Sequence, residues 1–318
     1  MMRLGIVVVT FNSQRAIRAC LNACRSFAPA ASVVVVDNAS TDGTLETLSL
    51  CPDVRVIANT KNAGFAAAAN QGISALDCDI ALLINPDVEL LTGLEPIISA
   101  FEDPGVGAAG GLLLSDSGRP QSGFFVRRLP TPSALAFEVL GLNRLWPGNP
   151  VNRRYRALDL DPTQPADAEQ PAGALLAIRR EVWRRIGGLD ESYFPIWFED
   201  VDFCCRLREE NWRIRYVPEV RAIHAGGHSI PSMSWSTRQL SWYGSLLRYV
   251  ARHFRPAGRS MVCGAVMLAA VIRAVTGTVL RRSSQPLFVY GRVIRLAALS
   301  FSKGWARSPG AAADGDSG

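Results

Sequence analysis

Cys-x-x-Cys pairs are absent from this 318-residue sequence, although seven cysteines are present. Because the cysteines are scattered and odd in number, neither a zinc module nor a disulfide framework is indicated. A signal-peptide pattern is also absent, since a strand-like run begins at Leu4 without a longer apolar core or a small-residue cleavage site. These absences lead us to expect a cytoplasmic protein with reduced thiols.

Charged residues are scarce, at 19% of the chain, and Lys and Arg exceed Asp and Glu by only 34 to 28. Nucleic-acid-binding proteins usually concentrate basic residues in a stripe with interleaved aromatic residues. Here the arginines gather loosely in the second half of the chain, from Arg119 onward. We therefore expect no nucleic-acid partner, and the net charge of +6 fits an anionic small substrate or a membrane surface better.

The first hundred or so residues alternate short apolar, β-branched runs with helix-like stretches, which is typical of a parallel sheet covered on both faces. The predicted strands are residues 6–9, 33–36, 54–57 and 80–84. Each strand is followed by polar or glycine-bearing sequence. Because ligands bind in the crevice outside the carboxyl ends of such strands, these four segments are expected to converge on one cleft.

Later segments depart from this pattern. Between residues 115 and 170 the periodicity fails while Pro, Gly, Arg and Asp become frequent, which predicts a long loop or insertion rather than a second core. The sequence is therefore divided into an α/β domain over residues 1–230, a helical region over 231–305 and a disordered tail over 306–318.

The apolar run at residues 261–280 has about the length that spans a membrane, roughly 20 residues. Arg273 lies well inside the run, and a charge at that depth costs about 2.5 kcal/mol or more. An interfacial or a packed helix is therefore expected. Two interpretations stay open. In the first, the helix docks on an anionic lipid surface and a lipid-diphosphate acceptor, together with Arg127, Arg128, Arg153, Arg154, Arg281 and Arg282. In the second, the helix is buried and has a solvated basic rim.

Two polar segments at strand ends each allow two interpretations. Asp37 either simply ends its strand, with Ser40 or Thr41 capping the next helix, or accepts a hydrogen bond from the imide N–H of a pyrimidine base. The Asn-Pro-Asp tripeptide at residues 85–87 is either a plain turn or a carboxylate ligand for a divalent cation.

Glu199, Asp200 and Asp202 place three carboxylates within four positions, framed by aromatic residues such as Trp197 and Phe203. At the start of a helix these acids would simply complement its positive end. Aromatic walls, however, exclude water and raise the pKa of a carboxyl group toward the value that a general base needs. We therefore favour a catalytic interpretation of this segment.

Only three histidines occur, at positions 224, 228 and 253. A single histidine is more often a core or surface residue than a ligand. His224 ends an apolar stretch, and with a candidate carboxylate ligand in the same cleft its imidazole becomes a reasonable metal partner. His228 follows two glycines and ranks second.

Taken in order, these segments resemble the GT-A inverting glycosyltransferases of family 2, and more narrowly the rhamnosyltransferase-like members. The resemblance covers residues 4–229. It is carried by Val-Val-Thr-Phe-Asn at 8–12, Asp-Asn-Ala-Ser-Thr-Asp-Gly at 37–43, Asn-Ala-Gly-Phe at 62–65 continuing to 70–72, Asn-Pro-Asp at 85–87, and Gly-Leu-Asp-Glu at 188–191 through Glu-Asp-Val-Asp at 199–202 to His224. It implies an α/β GT-A fold for nucleotide-diphospho-sugar transfer, Rossmann-like and mostly parallel, with a C-terminal helical extension.

The resemblance also implies roles for individual residues. The nucleotide-sugar-binding positions are Thr10, Asn12, Asp37, Asn62, Gly64, Asn70 and Asn85. Asp87 and His224 match metal-ligand positions for Mn²⁺ or Mg²⁺, whereas Asn85 replaces an earlier carboxylate that the family usually has. Asp200 matches the base that deprotonates the acceptor hydroxyl. Contacts with the acceptor are expected from Gly173, Trp197, Glu199, Arg127 and Arg128.

The implied activity is transfer of one sugar, with inversion, from a nucleotide-diphosphate sugar to a lipid-linked or surface-polysaccharide precursor. Our hypothesis for the donor is dTDP-rhamnose, and for the location the cytoplasm, peripheral on the inner face of the membrane. Processive members carry Gln-x-x-Arg-Trp and several membrane spans, and residues 239–242 lack that motif.

Two other classes stay open. Asn85 in place of an acid allows a catalytically silent nucleotide-sugar-binding or membrane scaffold protein. A nicotinamide dehydrogenase could use a similar sheet, but the first strand leads into Thr-Phe-Asn-Ser and not into Gly-x-Gly-x-x-Gly.

Overall fold

A computed structural model describes residues 2–226 and 233–302 of the chain. The predicted domain boundary at residue 230, His228 and the predicted tail over 306–318 lie outside the described residues.

The described strands form one nine-stranded mixed sheet and one small two-stranded sheet. The strands are β1 (Leu4–Thr10), β2 (Ser32–Asp37), β3 (Arg55–Ala58), β4 (Ile80–Ile84), β5 (Val88–Leu90), β6 (Val106–Leu114), β7 (Val126–Arg127), β8 (Ala166–Ala168), β9 (Gln170–Pro171), β10 (Leu175–Arg179) and β11 (Arg213–His224). The large sheet has the order β3-β2-β1-β4-β10-β6-β11-β5, and β8 pairs with β11. Neighbours β3, β2, β1 and β4 are parallel, as are β6 and β11, whereas β10 runs antiparallel between β4 and β6.

Helices cover the sheet and continue beyond it. They are α1 (Gln14–Phe27), α2 (Thr44–Ser49), α3 (Phe65–Ala75), α4 (Glu95–Ala100), α5 (Pro132–Leu140), α6 (Leu142–Leu145), α7 (Pro150–Tyr155), α8 (Arg180–Arg185), α9 (Glu199–Glu209), α10 (Trp235–His253), α11 (Pro256–Arg281) and α12 (Gln285–Ser302). The predicted α/β class, the mostly parallel central sheet and the helical C-terminal region are confirmed.

Strand register explains why the polar segments meet. Thr10 is paired with Asp37 across β1 and β2, and Val8 is paired with Ile84 across β1 and β4. The interiors of β1, β2 and β4 are buried, as a sheet covered on both faces requires. The carboxyl ends of β1, β2 and β4 therefore lie at one edge, which is the edge predicted to bind a ligand.

Residues 115–170 are not the loop that their composition predicted. They contain α5, α6 and α7 together with β7, β8 and β9. Leu135 and Val139 of α5 belong to a second hydrophobic cluster that also contains side chains of α10, α11 and α12. The three helices are short and separated by Pro and Gly, so none is long enough to display a clear apolar period.

The three C-terminal helices pack on one another, and α11 also packs on α5. The contact between α11 and α12 is the most extensive of these. Among the described residues, α11 is the one helix long and apolar enough to cross a membrane. Arg273 points into the protein, where it donates to the Tyr243 hydroxyl at 2.7 Å and the Val139 carbonyl at 2.6 Å. One side of α11 is therefore committed to the protein interior.

Candidate active site

A cavity of about 880 Å³ opens at the carboxyl edge of the sheet. Among the described residues, its walls include Val9, Phe11, Asn38, Asn62, Phe65, Asn85, Pro86, Asp87, Gln121, Phe124, Phe194, His224, Met233, Ser234 and Thr237. Four of the sequence-predicted site residues are thus brought together, namely Asn62, Asn85, Asp87 and His224. The cavity is of the size that small-molecule ligands and cofactors occupy.

Asp87 and His224 face each other in this cavity. Asp87 follows β4 and His224 ends β11, and His224 pairs in register with Val88 of β5. The Asp87 Oδ1 atom lies 3.7 Å from His224 Nε2, and the two side chains are only 7% and 8% exposed. A carboxylate and an imidazole at this separation form a donor set that suits a divalent cation.

Gln121 determines which nitrogen of His224 carries the proton. Its Nε2 donates to the His224 carbonyl at 2.7 Å, and its Oε1, which can only accept, forms a hydrogen bond of 3.1 Å with His224 Nδ1. The tautomer with Nδ1 protonated presents Nε2 toward Asp87 as the lone-pair nitrogen. Phe124 stacks on the imidazole with ring centroids 5.0 Å apart and an interplanar angle of 3°. Gln121 and Phe124 therefore fix the orientation of the His224 ring, as neighbouring groups fix the rings of metal-ligating histidines.

The loop after β3 forms another wall of the cavity. Gly64 has φ of +86°, a backbone conformation that favours glycine, and a Cβ there would lie 2.9 Å from the Phe194 ring. Its carbonyl accepts from Asn38 Nδ2 at 3.0 Å, and its N–H donates to Asn62 Oδ1 at 2.8 Å. Gly64 thus shapes the wall that Asn38 and Asn62 line.

Thr10 and Asp37 do not reach the cavity, because both are completely buried. The Asp37 carboxylate accepts from the Thr10 hydroxyl at 2.9 Å, and from the hydroxyl and N–H of Ser40 at 2.5 and 2.9 Å. In this structure Asp37 therefore joins the β1 end to the β2 loop. The neighbouring Asn38, which the sequence analysis did not select, takes the place on the cavity wall.

Asn12 and Asn70 also make structural contacts and do not line the cavity. Asn12 Oδ1 accepts from the Thr41 N–H at 2.8 Å, which ties the loops after β1 and β2 together. Asn70 Oδ1 accepts from the Leu189 N–H, and its Nδ2 donates to the Leu189 carbonyl. Because the Asn70 amide is used to hold residues 188–191 against α3, its predicted nucleotide contact is not supported.

Asp200 lies in the first turn of α9, held against β9 and the turn that connects β9 to β10. Its Oδ2 accepts from the Gly173 N–H and from Gln170 Nε2, both at 3.1 Å, and its Oδ1 accepts from the Val201 N–H at 2.8 Å. Burial raises the pKa of Asp200, and these N–H donors together with the positive charge of Arg127 oppose the rise. Ala174 follows Gly173, and its carbonyl accepts from the Asn85 N–H at 3.0 Å. This bond links the surroundings of Asp200 to the loop that carries Asp87.

Glu199 precedes Asp200 and is only 5% exposed. Its Oε2 atom is buried and has no hydrogen-bond partner among the described residues. Burial, followed by the nearby negative charge of Asp200, raises the pKa of Glu199 well above its usual range. The predicted acceptor contact of Glu199 is therefore not supported, since its side chain is buried and does not line the cavity. Trp197, with φ of +85°, packs against the second hydrophobic cluster and also lies off the cavity wall.

Arg127 and Arg128 point to different surroundings although they are adjacent. Arg127 donates to the Gly123 carbonyl at 2.7 Å, lies over the rings of Phe124 and Tyr155, and opposes the rise in the Asp200 pKa. Arg128 forms an ion pair with Asp159 and lines a separate cavity of about 390 Å³. Arg127 therefore lies beside the candidate site, and Arg128 does not.

Sequence reasoning missed Gln121 and Phe124, which orient His224, because both fall in the segment predicted to be a loop. It also missed the first turn of α10, where Ser234 and Thr237 line the cavity. A signal was available for α10, since Ser234 caps it by accepting from the Thr237 N–H at 3.1 Å.

Solved structures share the architecture of this chain. S. aureus TarS residues 1–349 superposes with a TM-score of 0.56 at 14% identity, covering 95% of this chain and 81% of that one. The mannosyltransferase PcManGT from Pyrobaculum calidifontis, solved with GDP-Man and Mn²⁺, gives 0.51 at 18% identity, covering 94% and 87%. At these identities the likeness establishes the fold alone.

Sequence relatives carry the comparison further. The chain is 32% identical over 216 residues to the N-acetylglucosaminyl-diphospho-decaprenol L-rhamnosyltransferase of Mycobacterium tuberculosis, covering 62% of this chain and 67% of that protein. It is 28% identical over 186 residues to the rhamnosyltransferase WbbL of Escherichia coli K12, covering 55% and 63%. The chain thus spans about two thirds of the length of either relative.

Two glycosyltransferase family models match successive parts of the chain. Residues 5–154 match Glycosyl transferase family 2, and residues 164–302 match Glycosyl transferase family group 2. This match overturns the dehydrogenase alternative. Together with the 32% identity to a rhamnosyltransferase, it establishes that the chain belongs to family 2 of the glycosyltransferases.

Proposed function

We propose that the chain transfers one sugar, with inversion, from a nucleotide-diphosphate sugar to a hydroxyl of a lipid-linked or polysaccharide precursor in cell-envelope glycan synthesis. The single observation that carries this proposal is the Asp87–His224 pair, oriented by Gln121 within a cavity of ligand size. A carboxylate and an imidazole on the wall of such a cavity fit a donor that carries a diphosphate.

Asp87 and His224 are the residues that would hold Mn²⁺ or Mg²⁺. Such an ion acts as a Lewis acid that neutralises charge on the departing diphosphate. Two protein ligands are sufficient, because these cations commonly take their remaining ligands from substrate phosphates and water. Asn85 beside them lines the same cavity and offers an amide oxygen where the family usually has a carboxylate.

Asp200 is the proposed general base. Its Oδ2 is positioned by Gly173 and Gln170, so that the carboxylate is fixed before any acceptor arrives. It takes the proton of the acceptor hydroxyl while that oxygen attacks the anomeric carbon and the nucleoside diphosphate leaves from the opposite side. One displacement of this kind inverts the anomeric configuration, and it needs no covalent sugar–enzyme intermediate.

Rhamnose is the proposed sugar, and dTDP-rhamnose the proposed donor. The support is that two relatives, from Mycobacterium tuberculosis and Escherichia coli, are named as rhamnosyltransferases. One of them acts on a diphospho-decaprenol-linked sugar by name, which supports a lipid-linked acceptor. An acceptor of this kind would place the enzyme in the cytoplasm, on the inner face of the membrane.

A screen of UDP-, dTDP- and GDP-sugars tests this proposal, with release of the nucleoside diphosphate measured with and without Mn²⁺. We expect dTDP-rhamnose to be turned over with Mn²⁺, and the Asp87→Asn variant to lose most of this activity. Glu102→Gln, an exposed change at the other edge of the sheet, should behave like the unaltered protein. Full activity after chelation, or in Asp87→Asn, would remove the metal role, and no turnover of any donor would favour the silent scaffold.

A further inference from the structure

The charges of this chain are separated along the sequence to an unusual degree. Between Glu219 and Asp314 there are thirteen Lys and Arg residues and no Asp or Glu. The remainder of the chain carries a net charge of −7, although the whole chain is at +6. The positive charge therefore belongs almost entirely to the region that contains α10, α11 and α12.

An apolar stripe runs along the outer side of α11. Met261, Leu268, Ile272, Val275 and Val279 are each more than half exposed. Their spacings of seven, four, three and four residues place them on one face of the helix. Val279 is 70% exposed and stands near the C-terminal end of the stripe. A stripe of large apolar side chains on a soluble surface is costly unless something covers it.

The opposite side of α11 is occupied by protein. Cys263, Val266 and Ala270 are buried in the second hydrophobic cluster, and Arg273 is bonded inward to Tyr243 and Val139. A helix fixed in this way cannot be surrounded by lipid. Its outer stripe can nevertheless lie on a bilayer, in the plane of the interface.

Exposed arginines stand at both ends of the stripe. Arg255 precedes the first turn of α11, and Arg282 follows its last residue. Along α12, the exposed Phe288, Arg292 and Arg295 are spaced by four and three residues and so share one face of the helix. Side chains of this kind keep the guanidinium at the headgroups while the apolar neighbours enter the acyl boundary.

The C-terminal end of the stripe lies beside the candidate active site. The Arg281 guanidinium stacks 4.3 Å from the Trp235 ring, and Gln285 Nε2 donates to the Ser236 hydroxyl at 2.9 Å. Trp235 and Ser236 belong to the same helical turn as Ser234 and Thr237, which line the cavity. A surface bound to the stripe would therefore lie close to the mouth of the cavity.

We propose that the outer stripe of α11, with the arginines at its ends, docks the enzyme on an anionic lipid bilayer and so presents the cavity to an acceptor held in that bilayer. The docking itself stands on the charges and the stripe, and only the link to a lipid-held acceptor rests on the proposed function. The lipid partner is anionic because the sequence of α10, α11 and α12 supplies arginines and contains no Asp or Glu.

Co-sedimentation of the full chain with vesicles tests this inference. One set of vesicles contains phosphatidylglycerol mixed with phosphatidylcholine, and the other contains phosphatidylcholine alone. We expect the anionic vesicles to bind at least roughly tenfold more tightly, with the difference shrinking as salt is added. Equal binding to both sets, or no binding to either, would overturn the proposal.

Three variants separate the contributions. Val275→Glu with Val279→Glu should weaken vesicle binding at least roughly tenfold, and Arg255→Gln with Arg282→Gln should weaken binding to the anionic vesicles alone. Leu50→Glu is the matched control, because Leu50 is 67% exposed at the end of α2. Circular dichroism melts check that each variant is folded.

Two further readouts keep the outcomes distinct. Sedimentation velocity without lipid detects a second copy of the chain on the stripe, and a dimer that Val275→Glu dissociates, without vesicle binding, would contradict the proposal. Release of nucleoside diphosphate from free donor should be unchanged in the stripe variants. If the stripe variants lose vesicle binding and keep donor turnover, the docking surface is supported. If the unaltered chain binds vesicles but turns over no donor, only the proposed function is contradicted.

Discussion

Gly173 is the residue that leaves room for the proposed base. A Cβ atom at this position would lie 3.1 Å from Asp200 Cβ and 3.2 Å from Asp200 Oδ2, closer than side chains normally pack. The missing side chain allows the Gly173 N–H to approach the carboxylate and to bond with it at 3.1 Å. Nothing in the sequence around Gly173 indicates this contact, because Asp200 is 27 residues away.

Gly173→Ala should therefore displace Asp200 by a few tenths of an ångström while leaving the fold intact. We expect kcat to fall roughly tenfold with little change in the donor KM, because misplacement of a catalytic group acts on the chemical step. Gly244→Ala in α10 is the control, since a Cβ there meets nothing within 4 Å. Steady-state kinetics of both variants would decide, and equal kcat values would show that the contact is not critical.

Glu199 and Asp200 are neighbours in sequence with opposite expected charge states. Burial raises the pKa of both groups, and for Glu199 the negative charge of Asp200 adds to the rise. The proposed roles need Asp200 ionised and able to accept a proton, whereas burial favours the protonated form of Glu199. The acid side of the rate profile should accordingly lie above the ordinary pKa of an aspartate, with activity rising as pH rises through it.

Glu199→Gln is expected to keep this profile and most of the activity, because glutamine resembles the protonated acid in shape and charge. Its kcat/KM measured from acid to neutral pH should stay within a few-fold of the unaltered enzyme. A large loss, or a displaced acid limb, would mean that Glu199 is ionised at work and acts with Asp200.

At the scale of elements, one buried ion network joins α9 to α10. Asp202 is fully buried and accepts from His253 Nε2 and Arg206 Nε, both at 2.7 Å. Burial lowers the pKa of His253, but the hydrogen bonds to Asp202 and Cys205 and the charges of these two groups together outweigh it and raise that pKa to about 9. The pair therefore fastens the helical region to the catalytic sheet.

This raised pKa has a consequence for stability. A histidine whose folded pKa lies above the unfolded value of about 6.5 stabilises the fold fully below that value. The stabilisation is lost as pH rises from about 6.5 through about 9. We expect the free energy of unfolding to fall by roughly 1 to 3 kcal/mol over that window, and the fall to be largely absent in His253→Gln. Denaturant melts at several pH values measure it, and identical pH dependence in both proteins would contradict it.

Elements with a clear repeating pattern could be predicted from the sequence, and elements without one could not. The four N-terminal strands follow from short, continuous apolar runs, and α10 follows from apolar residues at helical spacing. The helices α5 and α7 span nine and six residues and lack such a run. Their starts carried a signal, since Thr131 and Asn149 each cap a helix whose first residue is proline. Attention to caps would have found these helices where periodicity could not.

At the scale of the whole molecule, the sheet explains which predicted residues meet. Asn62, Asn85 and Asp87 were expected at one edge because they follow parallel strands, and they line the cavity there. His224 arrives on a strand that the sequence did not reveal as a neighbour. Asp37 and Asn70 could not be separated from true wall residues by sequence, because whether a polar side chain is used internally depends on distant partners such as Thr10 and Leu189.

The proposed mechanism combines Asp200 as the base with Asp87 and His224 as the metal ligands. The most direct test is the initial rate of sugar transfer by Asp200→Asn, measured with the preferred donor, Mn²⁺ and a lipid-linked acceptor, beside Glu102→Gln as the control. We predict a loss of roughly 10² to 10⁴ in kcat for Asp200→Asn with donor binding and melting temperature retained, because general bases contribute about that much. Near-normal transfer by a folded Asp200→Asn enzyme would contradict the claim.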